Sequence, residues 1–383
     1  MTAKMWTTEL RQWLDTRARE TGFDAAGVAE VRESDDPDVA RESARFTDWV
    51  EAGRAGEMEY LKGRDDAGVL LRSALRVAMP WACSVVVCAF NYNADAPRSI
   101  DPAPQGTGWI ARYAWSGRTG ADGTMVPSDY HNELLGRLRR IEQGLIERTG
   151  CETRCYVDTG PLVERSLAEQ AGVGWIGKNT CVLNQELGSW LLLGVIVTSL
   201  PVADEVVTLP ATDRCGTCTR CIDACPTNAL LGAKAPSAPR EMDASRCIAY
   251  LTIEKKGTID EGLREATGRQ VFGCDICQDV CPWNRKAPMG GAEGMRARPE
   301  LIDPALEWLA AMDAKEFKRR FRGSPLERTG RKRLLRNVAI AMGNSRDERF
   351  LSQIEGWRTG DDRVLAEAAE WARTRILAQR TSS

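Results

Sequence analysis

Eight cysteines crowded into residues 215–281 constrain this chain more than any other feature. They form one run, Cys215-x2-Cys218-x2-Cys221-x3-Cys225-Pro226, and a second run, Cys274-x2-Cys277-x3-Cys281-Pro282, with Cys247 between the two. Closely spaced cysteines let one tight loop offer three thiolates to three corners of an iron–sulfur cube, and eight thiolates suffice for two 4Fe-4S clusters. The sequence therefore predicts a ferredoxin-like region with two 4Fe-4S clusters.

The spacing also predicts which cysteines share a cluster. In two-cluster ferredoxins the last cysteine of such a run ligates the other cluster. We therefore expect one cluster to be held by Cys215, Cys218, Cys221 and Cys281. We expect the other to be held by Cys225, Cys247, Cys274 and Cys277, with Cys247 replacing the missing start of the second run. Structural zinc is the alternative, but zinc ribbons usually separate two C-x2-C pairs by a longer spacer.

The remaining cysteines indicate the cellular compartment rather than a site. The chain has 13 cysteines in all, and its N-terminus shows no secretory signal, which favours metal ligands over disulfides. The longest apolar stretch, Ser189–Leu200, is shorter than the roughly 20 residues that span a bilayer. We therefore expect a soluble cytoplasmic protein without membrane contact. We interpret five scattered cysteines as small buried hydrophobes: Cys83, Cys88, Cys151, Cys155 and Cys181.

Three segments of different composition predict three domains. Residues 1–204 alternate helical patterns with β-branched runs, which predicts an α/β domain. The predicted helices are Thr7–Arg19, Val39–Glu51 and Tyr130–Arg148, and the predicted strands are Ser84–Asn91, Cys181–Asn184 and Trp190–Thr198. Ser116–Ser128 is rich in Gly, Ser and Thr and predicts an exposed loop or insertion. Residues 205–290 hold the clusters, and residues 291–383 have the helical spacing of a short HEAT-like repeat domain.

Electron-transfer clusters attached to a large extra domain imply an internal electron acceptor. Asp158, at the end of a predicted strand, can donate a proton if burial raises its pKa, although capping of the following helix is an equally good interpretation. Gly172–Gly177 spells G-x-G-x-x-G but follows a helix, so it predicts a tight turn or a close cofactor approach rather than a nucleotide site.

His131 is the only histidine, which excludes a histidine-based metal centre. A cobalt ligand would need the pattern D-x-H-x-x-G, and Leu134 stands at its glycine position. We interpret His131 as a helix-start or pocket residue.

Five motifs occur in a fixed order: DTGPLVERSLAEQAGVGWIGKNT, CGTCTRCIDACPTNAL, RCIAYLTIEKKG, GCDICQDVCPWN and SPLERTGRKRLLRN. With them the chain resembles epoxyqueuosine reductase over nearly its whole length, least in the first 100 residues and in the long Ser116–Ser128 segment. Many iron–sulfur proteins share the cluster motif alone. The combination with GWIGKNT, YLTIEKKG and the basic C-terminal motif is much more specific.

The resemblance implies an oxidoreductase of queuosine biosynthesis, related to reductive dehalogenases, that removes the epoxide oxygen of epoxyqueuosine at the wobble position of tRNA. It implies cobalamin as a cofactor, fed with electrons by the two 4Fe-4S clusters, in the α/β domain. It also implies that Asp158 donates a proton to the departing oxygen. The residues implied around cobalamin are Arg72, Asp158, Lys178, Asn179, Thr180, Cys274 and Asp275.

A basic segment agrees with a tRNA substrate. The whole chain has a net charge of only -2, but Lys315–Arg336 holds ten basic residues against two acidic ones. Such a segment can neutralise phosphates, although a solvated helix face is an equally good interpretation of the charges alone. With the resemblance, the candidate tRNA contacts are Lys255, Lys256, Arg331, Lys332 and Arg333.

We expect a monomer that takes electrons from an external low-potential donor. Two other functions remain open from the sequence. One is a corrinoid-dependent reductase of a small organic molecule, which the basic segment disfavours. The other is an electron-transfer protein without catalysis, which the large N-terminal domain disfavours.

Overall fold

The structure is a computed structural model that describes residues 5–232 and 240–378. Its helices are α1 Thr8–Glu20, α2 Pro37–Glu51, α3 Leu75–Ala78, α4 Tyr130–Thr149, α5 Glu164–Gln170, α6 Arg220–Ala224, α7 Ile248–Ile253, α8 Glu261–Thr267, α9 Ile276–Asp279, α10 Leu306–Ala310, α11 Ala314–Phe321, α12 Pro325–Ser345, α13 Leu351–Arg358 and α14 Arg363–Leu377. Its strands are β1 Ala25–Glu30, β2 Ser84–Asn91, β3 Trp109–Ile110, β4 Ser116–Thr119, β5 Met125–Pro127, β6 Thr153–Tyr156, β7 Trp175–Ile176, β8 Val182–Leu183, β9 Leu191–Thr198, β10 Gln270–Phe272 and β11 Arg296–Ala297. No helix within these described residues is long and apolar enough to cross a membrane.

A four-stranded antiparallel sheet organises the N-terminal part, in the strand order β1-β2-β9-β6. Every residue of β2 is buried, which explains why its sequence is apolar from Val85 to Phe90 instead of alternating. Helices α1 and α4 cover one face of the sheet through residues such as Leu14, Leu138 and Ile141. Helix α5 covers the other face through Ala168. The predicted α/β architecture is observed, and the predicted bounds of β2 are confirmed.

The start of α4 is fixed by local chemistry. Asp129 is the N-cap residue, and its carboxylate accepts a hydrogen bond from the His131 amide. Gly150 ends the helix in the left-handed conformation, with φ of 67°. Tyr130 and His131 therefore lie in the first turn of α4, directly after the segment predicted to be a loop.

That segment, Ser116–Ser128, is a β-hairpin, so the expectation of a loop is corrected. β4 pairs with β5, and β11 adds a third strand from much later in the chain. The turn contains Asp122 followed by Gly123, which has a φ of 80°. Asp-Gly is a known hairpin signal, and it was available in the sequence. The predicted strand Cys181–Asn184 is also shorter than expected, because β8 pairs only with β7 outside the main sheet.

The C-terminal helices pack around a core that reaches back into earlier parts of the chain. Helix α12 contacts α10, α11 and α14, and Gly330, with φ of 75°, breaks it into two segments. Trp109, Trp115 and Phe272 belong to the same buried core as these helices, and β3 pairs with β10. The predicted helical C-terminus is therefore observed. Its HEAT-like character and the domain boundaries at residues 204 and 290 remain predictions.

Candidate active site and cluster region

The first group of cysteines combines the first run with one residue of the second run. Cys221 lies in the first turn of α6. Burial raises the pKa of Cys221 to about 11, and the Cys215 and Cys218 thiols raise it further. Burial likewise raises the pKa of Cys281 to about 12, with further contributions from Cys215 and Cys221. Cys281 therefore lies beside the first run, where the exchange of last cysteines places it.

The second group lies deeper in the protein. Burial raises the pKa of Cys274, and the Cys247 and Cys225 thiols raise it further. The Cys277 thiol is affected by both Cys274 and Cys247. The Cys225 sulfur also accepts a hydrogen bond from the Ala229 amide at 3.3 Å. Buried thiols of this kind ionise only with help from a cation, which suits iron ligation. The placement supports the predicted ligand sets, which remain predictions.

Among the residues that the structure describes, no three or more His, Cys, Asp or Glu side chains converge closely enough to hold one metal ion. The choice between structural zinc and iron–sulfur clusters therefore rests on the cysteine spacing.

Cys181 differs from the other scattered cysteines and corrects our interpretation. Cys88, Cys151 and Cys155 pack in or against the apolar core beside the main sheet, as expected for small hydrophobes. The pKa of Cys181 is instead lowered by the thiol of Cys277, a predicted cluster ligand, and its sulfur donates to the Asn179 carbonyl at 3.8 Å. No spacing pattern predicts that Cys181 lies near Cys277, because the two residues are far apart along the chain.

Asp158 lies in the connection between β6 and α5. Its φ is 57°, and its side chain is 64% exposed, so the burial on which the expectation of a proton donor depended is not observed. The Tyr130 hydroxyl donates a 2.9 Å hydrogen bond to the Asp158 carboxylate, and the Asp158 amide donates to Glu164 Oε1 at 2.8 Å. The N-cap of α5 is Val163, and no described side chain caps that helix. The helix-cap interpretation of Asp158 is therefore wrong.

His131 links this loop to the C-terminal helices. Its Nδ1 lies 2.9 Å from Asp129 Oδ1 and 2.9 Å from Nη2 of Arg328, while its Nε2 lies 3.8 Å from Asp158 Oδ2. Arg328 also donates to the Asp129 carboxylate at 2.7 Å. From sequence, Arg328 was predicted only as part of the basic segment Lys315–Arg336, and Tyr130 was not predicted as a site residue. The position of Tyr130 between Asp129 and His131 could have indicated its role.

Acidic groups around Asp158 have altered proton affinity. Burial, followed by the charge of Asp158, raises the pKa of Glu164 to about 7. Burial and the nearby Asp158 also raise the pKa of Tyr130. Burial would raise the pKa of Asp129, but its His131 hydrogen bond and the Arg328 charge outweigh burial and lower it. The site therefore combines an exposed carboxylate with a neighbour that still holds a proton near neutral pH.

The turn Gly177–Thr180 contacts both α5, which follows the Asp158 loop, and the first cysteine run. Lys178 is buried, and its ammonium group donates to the Gly216 carbonyl at 2.8 Å, inside the first cysteine run. Asn179 is buried, and its Nδ2 has no hydrogen-bond partner among the described residues. Thr180 has a φ of 60°, and its carbonyl accepts a 2.6 Å hydrogen bond from Arg165.

Two further predicted cofactor residues border the same region. Asp275 is buried and accepts hydrogen bonds from Trp109 Nε1 at 3.0 Å and from the Arg112 amide at 2.8 Å. Burial, followed by the charge of Asp279, raises its pKa to about 7. Arg72 donates to the Leu162 carbonyl at 2.9 Å.

The pKa of Tyr113 is affected by charges from both the Asp158 loop and the cluster region. Burial raises the pKa of Tyr113, and the charges of Asp158 and of Asp275 raise it further. Tyr113 also packs against Tyr130, the hydrogen-bond partner of Asp158, and against Phe272, two residues before the predicted ligand Cys274, with ring centroids 5.8 and 6.0 Å apart.

The candidate tRNA-binding residues lie where α12 packs against the end of α7. Arg333 donates to the Ile253 carbonyl at 2.7 Å, so the loop with Lys255 and Lys256 lies against the C-terminal helices. Lys255 is paired with Glu57, whereas Lys256 is exposed.

The basic residues of α12 differ in how exposed their charged groups are. Arg331 donates to the Met312 carbonyl at 2.6 Å, while Lys332 is 85% exposed. Arg336, from the same basic segment, is buried and donates to the carbonyls of Leu251 and Lys255. Part of the basic charge of Lys315–Arg336 therefore forms hydrogen bonds within the protein and is not available to a phosphate.

Comparison with known proteins places this arrangement in a family. Residues 72–159 match a family model described as "Epoxyqueuosine reductase QueG, DUF1730", and residues 214–284 match a "4Fe-4S double cluster binding domain". The epoxyqueuosine reductase of Xanthomonas campestris is 37% identical over 95% of this chain and 96% of its own length. The Escherichia coli enzyme is 33% identical over 98% of this chain and 90% of its own length.

Solved structures agree with the sequence comparison. A crystal structure of an epoxyqueuosine reductase with an epoxyqueuosine-modified tRNA-Tyr stem loop has a TM-score of 0.80 and 29% identity, covering 96% of this chain and 90% of the other. The Streptococcus thermophilus enzyme has a TM-score of 0.77 and 28% identity, covering 97% of this chain and 91% of the other. This chain therefore belongs to the epoxyqueuosine reductase family and is an oxidoreductase that reduces epoxyqueuosine to queuosine.

Proposed function

We propose that this chain acts on epoxyqueuosine at the wobble position of tRNA, with cobalamin as cofactor and Asp158 as proton donor. The observation that carries the proposal is the position of Asp158. Its carboxylate is exposed and accepts a hydrogen bond from Tyr130, and Tyr130 packs against Tyr113, which also contacts Phe272 near the predicted ligand Cys274. A proton source and an electron source thus face the same region.

The reaction needs both sources. Removing the epoxide oxygen as water while a carbon–carbon double bond forms consumes two electrons and two protons. When bound, cobalamin and the two 4Fe-4S clusters supply the electrons, and the protein positions them. The departing oxygen gains negative charge as its bond to carbon breaks, so a nearby acid lowers the barrier by giving it a proton.

Asp158 suits this acid role for two structural reasons. Its exposed carboxylate is open to a substrate that enters from solvent, and the hydrogen bond from Tyr130 fixes its direction. Its positive φ is uncommon for a residue with a side chain, and such backbone conformations often occur at functional sites. A related Bacillus subtilis structure has a catalytic aspartate loop swung out of the active site. That description is what we expect of a loop built like the Asp158 loop.

The residues present fit a bound cobalamin. The buried Asn179 amide has a donor without a partner among the described residues, which a polar group of a cofactor can satisfy. We propose that Lys178, Asn179 and Thr180 line one side of the cofactor, and that Arg72 and Asp275 line other parts. Cys274 belongs to this set as the cluster ligand next to Asp275.

We propose that the anticodon arm of tRNA lies over the loop of Lys255 and Lys256 and the exposed part of α12. Lys256 is exposed, and Lys332 is 85% exposed with only a 3.6 Å ion pair to Asp362, so both ammonium groups can reach phosphates. Arg331 and Arg333 help mainly by holding the backbone of this surface. A wobble base in a single-stranded loop can leave its stack at low cost.

Further parts of the proposal concern the cell. We propose that the chain works as a monomer in the cytoplasm and receives electrons from an external low-potential donor. We also propose three functional parts: residues 1–204 for cobalamin, residues 205–290 for the clusters and residues 291–383 as a HEAT-like tRNA-binding part.

The experiment uses anaerobically purified full-length protein and a tRNA stem loop that carries epoxyqueuosine. Conversion to queuosine is measured by mass spectrometry with a chemical reductant, with and without added cobalamin. We expect conversion that depends on cobalamin and on about eight iron per chain. Full conversion by cobalamin-free protein would overturn the cofactor proposal, and conversion of the free nucleoside at the same rate would overturn the tRNA proposal.

A further inference from the structure

The first cysteine run lies in a loop that faces solvent. Both residues between Cys215 and Cys218 are exposed, whereas none of the described residues 274–281 in the second run is exposed. The first cluster is predicted to take three of its four cysteine ligands from this open loop, and Cys281 from the second run. A molecule in solution that gives electrons to the chain can therefore come close to the first cluster.

Four exposed basic residues adjoin the ligands of the first cluster, and we call them the basic rim: Arg214, Arg220, Arg285 and Lys286. The first two directly precede Cys215 and Cys221, and the other two follow Cys281 after one turn of 3₁₀ helix, Pro282–Asn284. Cys215 and Trp283 both pack against the small apolar cluster that contains Cys281. The two pairs of basic residues therefore lie on loops that meet beside the first cluster.

The charges of the basic rim are not neutralised by its neighbours. Within the described residues 5–232 and 240–378, none of the four side chains forms an ion pair or a hydrogen bond. Residues 213–223 and 281–286 contain two acidic side chains. Asp213 is paired with Arg240, and Asp223 accepts a 2.6 Å hydrogen bond from the Thr219 hydroxyl. In these two segments the four basic groups therefore face only one carboxylate without an ion pair.

This charge pattern indicates the chemistry of the electron donor. A 4Fe-4S cluster takes up one electron at a time, whereas nicotinamide cofactors deliver a hydride, so a one-electron carrier is the suitable direct donor. A surface with surplus positive charge attracts an acidic partner, speeds its encounter and orients it. Electron-transfer complexes are short-lived and bury little surface, so a few charges around one open loop suffice.

We propose that the basic rim is the docking surface for a small acidic protein that carries one electron, and that electrons enter the chain at the first cluster. Each encounter oxidises the carrier by one electron and reduces the cluster by one electron. Two encounters provide the electron pair that the reduction of epoxyqueuosine consumes. The proposal rests on the cluster and electron-donor parts of the proposed function.

The test uses anaerobic full-length protein with its clusters and without tRNA. An excess of reduced plant-type 2Fe-2S ferredoxin, an acidic one-electron carrier, is mixed with it, and electron transfer is followed by stopped-flow absorbance. Arg285→Glu combined with Lys286→Glu should lower the second-order rate constant about tenfold at low salt, within the range that electrostatic steering covers. The difference should shrink as salt rises to about 0.5 M, because salt screens exposed charges.

Two further double variants make the result specific. Arg118→Glu with Arg139→Glu changes the net charge by the same amount at exposed positions of β4 and α4, so it should keep the wild-type rate constant. Arg285→Gln with Lys286→Gln removes the charges without reversing them and should have an intermediate effect. All variants should keep the iron content of the wild type and reach full reduction with excess dithionite.

Three results would overturn the proposal. One is an unchanged rate constant in the variant with Arg285→Glu and Lys286→Glu at low salt. Another is an equal loss in the variant with Arg118→Glu and Arg139→Glu, which would show only an effect of net charge. The third is an unchanged rate constant together with weaker binding of the tRNA stem loop, which would assign the basic rim to nucleic acid. A wild type that holds no iron–sulfur cluster would instead refute the proposed function.

Discussion

In the proposed mechanism, the cluster region supplies electrons and the Asp158 site supplies a proton, and the two regions are built in opposite ways. The thiols assigned to the second cluster are deeply buried, and burial is the main cause of the raised pKa of Cys247 and Cys274. The Asp158 carboxylate is mostly exposed and sits on a connection with positive φ. Electrons can cross protein between fixed centres, whereas a proton donor must touch its substrate.

The two regions also differ in how their parts are gathered. Seven of the eight cluster cysteines come from two short runs, so local spacing brings them together. The Asp158 site takes Tyr130 from α4, Glu164 from α5 and Arg328 from α12. The proposed electron source is therefore assembled mainly by local loops, whereas the proposed proton source is assembled by tertiary packing. The predictions below test that division.

The largest effect is expected from removing a cluster ligand. Cys274→Ala should lose one cluster, and so about half of roughly eight iron per chain, with turnover abolished. Iron analysis and electron paramagnetic resonance measure this loss. Cys151→Ala, the matched control, should keep all iron. Retention of all iron in Cys274→Ala would remove Cys274 from the ligand set.

A smaller effect is expected from loosening the proton donor. Tyr130→Phe removes one hydrogen bond to the Asp158 carboxylate, and hydrogen bonds to charged groups contribute about 1.5–3 kcal/mol. We expect turnover to fall roughly tenfold with iron content unchanged. Tyr156→Phe is the control, since that hydroxyl lies against the Met79 sulfur instead. Equal turnover in wild type and Tyr130→Phe would show that this contact does not position the acid.

A change on the basic surface should affect neither region. Lys332→Glu is expected to weaken binding of the tRNA stem loop several-fold at low salt and less at high salt, because it replaces a phosphate contact by repulsion. Fluorescence anisotropy across a salt series measures the effect. Arg41→Glu, an exposed site on α2, is the control. Equal affinities of the two variants would place the tRNA elsewhere.

The smallest effect concerns stability and pH. Burial raises the pKa of Glu164 from its ordinary 4.5 to about 7, so its contribution to stability is complete below pH 4.5 and is lost as pH rises through 7. Glu164→Gln cannot ionise. The Tm of the wild type should therefore fall relative to that variant by about 2–4 °C between pH 5 and pH 8. Parallel Tm curves would show that Glu164 is ionised throughout.

Much of the cluster region could be predicted from sequence because its chemistry is local. The cysteine spacing predicted the 4Fe-4S region, and the exchange of Cys225 and Cys281 stays a prediction. The effect of Cys277 on the pKa of Cys181 could not be predicted in this way, because it depends on the packing of two distant turns.

The α/β part was predictable to a similar degree. The apolar run Val85–Phe90 located β2, since a strand that is buried on both faces is apolar along most of its length. The hairpin at Ser116–Ser128 was missed because Gly- and Ser-rich composition outweighed its Asp-Gly turn. Arg328 was read as surface charge because its partners, Asp129 and His131, lie almost 200 positions away.

The central claim, that electrons and the proton come from separate regions, is tested most directly by single-turnover kinetics of Asp158→Asn on epoxyqueuosine-containing tRNA stem loop. The variant should keep wild-type iron content, cluster spectra and cobalamin binding. We expect its rate of queuosine formation to fall by roughly 10²–10⁴-fold, the usual contribution of a general acid. A rate equal to that of the wild type would contradict the assignment of Asp158 as the proton donor.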